Sequence, residues 1–568
     1  MSGGVSTHLD LTNPAAQTIG VVLQWKPSQS VQTISLPVWT PGSYTVRDPS
    51  QHLHSLSAVQ GESTLLLERR SPERWQFTCE PGEPLCIRYR LEARQLTVRT
   101  NHLDPEFASL SLPAVVMLVD GERWNEHRLQ ISIPEHWSLA VPLEQDGSGS
   151  VFVAEDFDHL VDAPVHAGRF VRERLFVRGQ THSLILIGSP PCGWPSGFKH
   201  DLEAVCTAVC DLVHSDPSAD QEYQLVIQTL EQGYGGLEHD NASVMQFPWP
   251  TLQEPGGYRK LLQLVGHEYL HQWNVRRLRP SEFIPYRYDR PVISDGLWFA
   301  EGVTSYFDLA LPLLAGLSSR LDLLKDLGAD LSHVLVNPGV AIQSLADSSR
   351  EAWVRLYKQT PANAHSQISY YRLGTALAFC LDVHLRHSQH SLAEVLRCLW
   401  KRFGVHGRGY RRSDLLACFS EYSKDLETLL PDWLDGRSAL PIEASLQRIG
   451  LSLNPVRDTT PSAGWLIRER EGRVWIDRTD VDGPAQRGGL VAGDELVALR
   501  DRRCHSVQRC SELLKGDSNL KVTYSRRGVL KTTALLLQDP GVDRHELAWD
   551  PGATQAERAL RDQWFGFL

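Results

Sequence analysis

The sequence predicts a multidomain α+β protein, and three features carry that prediction. Up to about residue 170, short alternating apolar and polar runs are broken by Gly, Pro and Asn, the pattern of an antiparallel β-domain. From 171 onward, strand patterns alternate with longer helical periods and then give way to helices. Beyond Pro431–Pro441, with Gly436 between them, strand and turn signals return. A chain of 568 residues has room for about three to four domains, each with its own core. These shifts set off 1–170 (N-terminal, β-sandwich-like) and 171–440 (mixed, with a helical lobe), followed by a small third part and by 539–568 (a tail with one helix).

The elements follow in order. In the first part, Thr18–Trp25, Leu85–Leu91 and His127–Ile133 alternate with period two and read as strands. In the second, a strand at Ser183–Ile187 precedes a helix at Leu202–Leu212, and a strand at Tyr223–Leu230 leads into the Gly235–His239 loop. A helix is predicted from Tyr258 to about Leu278, with Leu262, Val265 and Tyr269 on its buried side. Pro280, Pro285 and Pro291 make the next segment non-helical. A helix carrying Glu301 follows, then Leu392–Phe403 and Ser413–Tyr422 in a helical bundle. In the third part, Gly493-Asp494 turns the chain into a strand at Glu495–Leu499. Thr554–Leu568 reads as a short amphipathic helix, and apolar Leu568 is a candidate to fill a groove.

Chemistry enters through His267-Glu268-Tyr269-Leu270-His271. Residues four apart lie one turn apart on the same helix face, so two imidazoles can reach one Zn2+ ion. Glu268, between them, flanks that metal and can take a proton from a metal-activated water. A catalytic zinc needs a third protein ligand and one open position. Glu301, thirty residues after His271 and inside Leu297–Phe307, is the candidate.

HEYLHQWN followed by LWFAEGVTSYF resembles the gluzincin zinc metallopeptidases, and within them the glycyl-aminopeptidase family that carries a C-terminal PDZ domain. Leu36–Tyr44 (LPVWTPGSY), Asn101–Asp104 and Arg276–Pro280 are similar to further stretches of that family. The resemblance implies a thermolysin-like catalytic domain over 171–440. Gly235-Gly236-Leu237-Glu238-His239 is similar to the exopeptidase loop, which implies that Glu238, with Gly235 and Gly236, binds the substrate's free α-ammonium. His239 stands where better-known aminopeptidases have Asn. Ser369–Gly374 resembles the Tyr-x-Lys-Gly stretch that supplies an oxyanion-stabilising tyrosine, with Leu373 in the lysine position. Counting back from Gly374 selects Tyr371, with Tyr370 as the alternative. The acidic residue that often follows the glutamate ligand by four positions is Ser305 here, so the residues that orient His267 and His271 are unassigned. Gly483–Leu496 resembles a PDZ segment, which implies a PDZ domain over 443–538 and a groove for a peptide C-terminus.

The net charge of −11 and pI near 6.1 argue against a nucleic-acid partner. No apolar run is long enough to span a membrane, and the first residues lack a basic start and an apolar core. Ten cysteines without a CxxC pair read as reduced thiols of a cytoplasmic protein, Cys206 and Cys210 among them as buried apolar groups. His384, His387 and His390 read as a solvated helix end without an acidic partner. The expectation is a zinc aminopeptidase acting on peptides with free, small N-terminal residues. Two other readings stay open: a zinc endopeptidase with PDZ-guided substrate binding, and a PDZ interaction protein with a vestigial peptidase domain.

Overall fold

Ile19, Val21, Leu23 and Trp25 alternate along Thr18–Trp25 and are all buried on one face of a strand, as period-two patterning requires. That strand sits inside an eight-stranded sheet of the computed structural model, which describes residues 4–217, 221–360 and 363–567. Two four-stranded sheets complete the first 170 residues. The domain is not wholly antiparallel: Val5–Asp10 pairs antiparallel with Thr18–Trp25 but parallel with His127–Ser132. A parallel partner needs a long connection, and the sheets formed between the two strands provide it. His127–Ser132 ends before Ile133, the residue ahead of Pro134.

The described residues fall into two units, one within 4–319, 391–424 and 566–567, the other within 320–390 and 425–565. The block 171–440 expected as one domain is therefore divided. Helices of a bundle carry the same 3.6-residue period whichever neighbour they bury against, so the sequence does not reveal the partition.

In the first unit a five-stranded sheet carries the site. Its strands are β1 (Val171–Val177), β2 (Gln180–Ile187), β3 (Tyr223–Leu230), β4 (Gly235–Glu238) and β5 (Ala242–Pro248), in the order β1-β2-β3-β5-β4. β2, β3 and β5 run parallel, and β4 returns antiparallel to β5 as the edge strand. Helices α1 (Phe198–Val213) and α2 (Gly257–Leu270) follow, and α1 buries Cys206 and Cys210. α2 is shorter than the Tyr258–Leu278 prediction. After His271 the backbone opens: Val275 and Arg276 N–H groups both bond the His271 carbonyl, and Leu278 N–H reaches Trp273. Trp273, Val275 and Leu278 stay buried in these turns, so the apolar pattern continues where the helix stops. Glu301 lies on a π-helical turn, Trp298–Gly302, that leads into α3 (Val303–Leu314). Leu392–Arg402, closed by a Ser391/Glu394 capping box, and Arg412–Tyr422 complete this unit's helices.

The second unit joins Arg320–Val336, α4 (Tyr370–His387), Leu426–Asp435 and Ile442–Arg448 to a sheet that begins with edge strand β6 (Trp465–Arg470). α5 (Val507–Leu514) packs on that sheet. The Gly493-Asp494 turn is held by Asp494, which accepts from Val491 N–H and pairs with Arg526. Leu451–Arg457 pairs with Val542–Trp549 in a separate ribbon. That ribbon crosses the expected boundary at 538, so the tail is a strand as well as a helix. Its helix, Gln555–Gly566, buries Trp564 and Phe565; Leu568 lies outside the described residues. His384 has an acidic partner after all, Asp425 at 3.0 Å, supplied by a segment forty residues away.

Two buried histidines make the first unit acid-sensitive. Burial lowers His166 to about 3 and His182 to about 4; His182 sits 2.7 Å from the Tyr269 hydroxyl. Unfolded histidines titrate near 6.5. Between about pH 6.5 and 4 the unfolded chain binds more protons, so stability is full above 6.5 and falls as pH falls, by up to ~1.4 kcal/mol per pH unit per histidine. Between about pH 6.5 and 4.5 the denaturation midpoint of His182→Gln should fall less toward acid than that of wild type.

Candidate active site

His267 and His271, one turn apart on α2, bring their Nε2 atoms to 3.0 Å of each other. Glu301 Oε2 lies 3.5 Å from His267 Nε2 and 3.2 Å from His271 Nε2. Apolar Leu261, Leu262, Val265 and Tyr269 bury the opposite side of the helix and fix which face meets α3. The predicted ligand residues thus converge, although Glu301 is presented by a π turn. Such a turn displaces side chains relative to a regular helix and occurs mostly at functional sites.

The residues that orient the histidines were not legible in the sequence. His267 Nδ1 meets Asp308 Oδ2 at 2.7 Å. Asp308 is seven residues after Glu301, two helical turns along the same face; the shorter four-residue spacing selects Ser305. His271 Nδ1 meets the Asn274 carbonyl at 2.6 Å. The Asn274 side chain donates to the carbonyls of Phe299 and Ala300 at 3.0 and 3.3 Å and to Thr304 Oγ1 at 3.2 Å. One asparagine therefore fixes a ligand histidine through its backbone and the turn bearing Glu301 through its side chain.

These contacts decide where the protons sit. A carbonyl and a carboxylate only accept, so each neutral ring carries its proton on Nδ1 and turns an Nε2 lone pair inward. Two lone pairs and the Glu301 carboxylate then face one another out of water, and a cation between them resolves the repulsion. The same demand shows in proton affinity. Burial opposes charging the rings, yet Asp308 and Glu301 raise His267 well above its usual range, and Glu301 raises His271 to about 8. Burial works against ionised Glu301, but His271 and His267 hold its pKa below the usual carboxylate range. Two imidazole nitrogens and one carboxylate oxygen are a donor set that suits zinc with one position left open.

Glu268 points into the same site. Burial raises its carboxyl to about 7, with His267 and His271 opposing. β4 lies directly on it: a Cβ at Gly236 would fall 2.1 Å from Glu268 Oε1. Arg99 Nη2 donates to the Gly236 carbonyl at 2.7 Å, and the Arg99 charge also acts on Glu268. Arg99 comes from the N-terminal domain and had no signal in the sequence. Gly235 opens β4 with φ +148, beside Arg99.

Glu238 ends β4. It is 3% exposed, and among the described residues its Oε1 has no hydrogen-bond partner. Carboxylate oxygens of Glu238 and Glu268 and a nitrogen of His271 lie within 4.8 Å of one another. The following turn is tied down by Asp162, which accepts from Asp240 N–H at 2.7 Å and pairs with Arg276 at 2.7 Å. His239 Nδ1 lies 3.3 Å from the same carboxylate, which gives the residue in the usual Asn position a structural role.

Tyr371 belongs to the second unit, in the first turn of α4. It is half-buried, stacks on Tyr370 with ring centroids 4.7 Å apart and has its hydroxyl 3.2 Å from that of Tyr357. Tyr370 is fully buried, its hydroxyl 3.0 Å from Tyr357.

Residues 6–169 match the peptidase M61 N-terminal domain, and residues 260–377 match the M61 glycyl aminopeptidase family. The chain carries peptidase M61 family domains. Among solved structures, an aminopeptidase N family protein from Idiomarina loihiensis is 27% identical with a TM-score of 0.91, over 99% of this chain and all of that one. An M1 zinc metallopeptidase from Deinococcus radiodurans is 14% identical with a TM-score of 0.49, over 78% of this chain and 95% of that one. No curated protein matches the chain. The M61 glycyl aminopeptidase match spans both histidines, Glu268, Glu301 and Asp308, as well as Tyr371. Among the described residues no helix is long and apolar enough to cross a membrane.

If Asp308 and Asn274 orient the ligands, Asp308→Ala and Asn274→Ala should each weaken zinc binding by about 10–100-fold. Competition against a chromogenic chelator measures this, with circular dichroism to check the fold.

Proposed function

We propose that this protein is a zinc-dependent aminopeptidase that removes small N-terminal residues, Gly or Ala, from peptides. The observation that carries the reading is Glu238, a buried carboxylate with an unpartnered oxygen beside Glu268 and His271. A buried, unpaired charge is costly, and a substrate ammonium supplies its counter-charge at a fixed distance from the reacting carbonyl. His267, His271 and Glu301 hold the zinc, which when bound acidifies a water and polarises the scissile carbonyl. Glu268 takes the proton of the attacking water on its carboxylate and delivers it to the leaving amine. A carboxyl raised toward neutrality by burial suits both transfers. Tyr371, from the motif resemblance, donates to the oxyanion; its partial exposure favours it over buried Tyr370.

The endopeptidase reading is disfavoured by the cover over Glu238. Gly42 packs so closely there that its added Cβ would lie 2.6–2.7 Å from both carboxylate oxygens, which leaves no passage for chain before the first residue. We also read the 171–440 sheet and helices as thermolysin-like and the 443–538 region as a PDZ fold. The second unit holds a cavity of about 1360 Å³ lined by edge strand β6, by Val507, Ser511 and Leu514 of α5, and by Tyr371. An open strand edge across from a helix is the setting for peptide addition, so this groove is where a peptide C-terminus would bind.

Glu268→Gln should keep zinc and lose about 10²–10⁴ in kcat; Glu238→Ala should keep zinc and lose activity on free-amine substrates. Tyr371→Phe should cost about 10²–10³ in kcat, and Tyr370→Phe far less. Chelator-sensitive release from Gly and Ala chromogenic amides, absent with N-acetylated substrates, tests the whole reading. Cleavage of blocked peptides alone would move the protein to the endopeptidases. No turnover despite bound zinc would leave the vestigial reading.

A further inference from the structure

The Thr40-Pro41-Gly42-Ser43 segment is a β-turn closed by Ser43 N–H to the Thr40 carbonyl at 3.1 Å. Pro in its second position and Gly at φ +78 in its third fit type II geometry. The turn is anchored from both sides. Val38 N–H bonds the Tyr288 carbonyl at 2.9 Å, the Trp39 indole bonds the Arg287 carbonyl at 2.6 Å, and Arg47 Nε bonds Ser43 Oγ at 3.0 Å. Every residue from Leu36 to Thr45 is buried, although the segment belongs to the N-terminal domain rather than to the sheet that carries β4.

This anchoring brings the Gly42 backbone onto the Glu238 carboxylate. A Cβ on Gly42 would meet Oε1 at 2.6 Å, Oε2 at 2.7 Å and the Leu237 side chain at 2.6 Å. The space left beside Glu238 is a void of about 10 Å³, bounded by Trp39, Gly42, Tyr44, Phe283 and Tyr286 together with Val275 and Arg279. That is at the lower limit for a single water, which needs roughly 10–15 Å³. The aromatic walls brace one another: Trp39 lies 6.4 Å from Phe283 and 6.1 Å from Tyr286, and Tyr44 lies 5.9 Å from Phe283. Packed rings of this kind do not yield to admit a larger group without strain.

Resting on the aminopeptidase reading, we propose that the Thr40–Ser43 turn and the wall of Tyr44, Phe283 and Tyr286 are the specificity-determining surface for the substrate's first side chain. With the ammonium on Glu238, the side chain of that residue leaves the α-carbon next to this void. Hydrogen or methyl fits there; a branched or longer chain meets the rings. The restriction on the first residue is thus shared between the N-terminal domain, whose turn is laid over the amine-binding carboxylate, and Phe283 and Tyr286 from the segment after the zinc-site helix. Gly42 is required because any side chain would displace Glu238 itself.

The test is the binding of glycinamide, alaninamide and leucinamide to the zinc-loaded full chain by titration calorimetry, beside kcat/KM on the matching chromogenic amides. Wild type should bind alaninamide at least about tenfold tighter than leucinamide, the size of a hydrophobic-pocket effect. Tyr44→Ala, and independently Phe283→Leu, should raise the leucine-to-alanine ratio about tenfold or more in both readouts. Gly42→Ala should weaken all three amides alike. Wild type without discrimination, or a folded, zinc-replete Tyr44→Ala or Phe283→Leu that keeps the wild-type ratio, would overturn the wall. Glu238→Ala separates the two ideas. If amide binding depends on Glu238 while the ratio stays fixed, only the wall fails. If amide binding ignores Glu238, the amine-site reading fails and the wall with it.

Discussion

Burying two imidazole lone pairs and two carboxylates within a few ångströms of one another is the constraint on which the site depends. His267, His271, Glu301 and Glu238 would repel if left alone out of water, and each is held by structure that faces away from the centre. Asp308 and the Asn274 carbonyl pin the histidine rings. The Asn274 amide pins the turn that presents Glu301, and Asp162 with Arg276 pins the turn after Glu238. In the proposed function this electrostatic tension would be relieved by a metal on one side and by a substrate ammonium on the other. Burial raises the Glu268 carboxyl to about 7 against the opposing pull of His267 and His271.

The fold supplies these restraints from distant parts of the chain. The two histidines come from one helix, the glutamate ligand from a π turn, and the amine-site candidate from the edge of a sheet. Arg99 and Gly42 reach the same place from the N-terminal domain. That domain therefore does more than pack against the catalytic sheet. Its buried LPVWTPGSY segment forms the boundary of the space beside Glu238, and its guanidinium braces the strand over Glu268. The Gly42 turn and the His267/His271 helix therefore come from separate parts of the chain, and they meet at Glu238 and Glu268.

The aminopeptidase assignment and the division of the chain into units bear on each other. Tyr371 and the groove between β6 and α5 both border the cavity of the second unit, whereas His267, His271, Glu238, Glu268 and Glu301 belong to the first. The M61 glycyl aminopeptidase match, residues 260–377, runs through both. The proposed roles of Tyr371 and of the groove thus both rest on the second unit.

Local patterns made much of this legible in the sequence. Spacing of four on a helix identified His267 and His271, and thirty residues with three prolines pointed to a second element bearing Glu301. Period-two alternation marked Thr18–Trp25 to the residue, because one-sided strand burial is written directly in alternation, and Tyr223–Leu230 matched its predicted bounds as a strand buried on both faces. What depends on contacts between distant segments was not readable. Asp308 and Asn274 acquire their roles only when α3 packs on α2. The stop of α2 at Leu270 is hidden because the residues beyond it remain buried. The parallel partner of Val5–Asp10 and the ribbon that joins 451–457 to 542–549 are pairings between remote strands with no local signature. By itself the sequence determined that His267, Glu268 and His271 share one stretch of helix, since four-residue spacing is a local property. The enclosure of the candidate site, from the Gly42 turn over Glu238 to the carboxylate behind His267, was decided by tertiary packing, because only folding brings those side chains within reach.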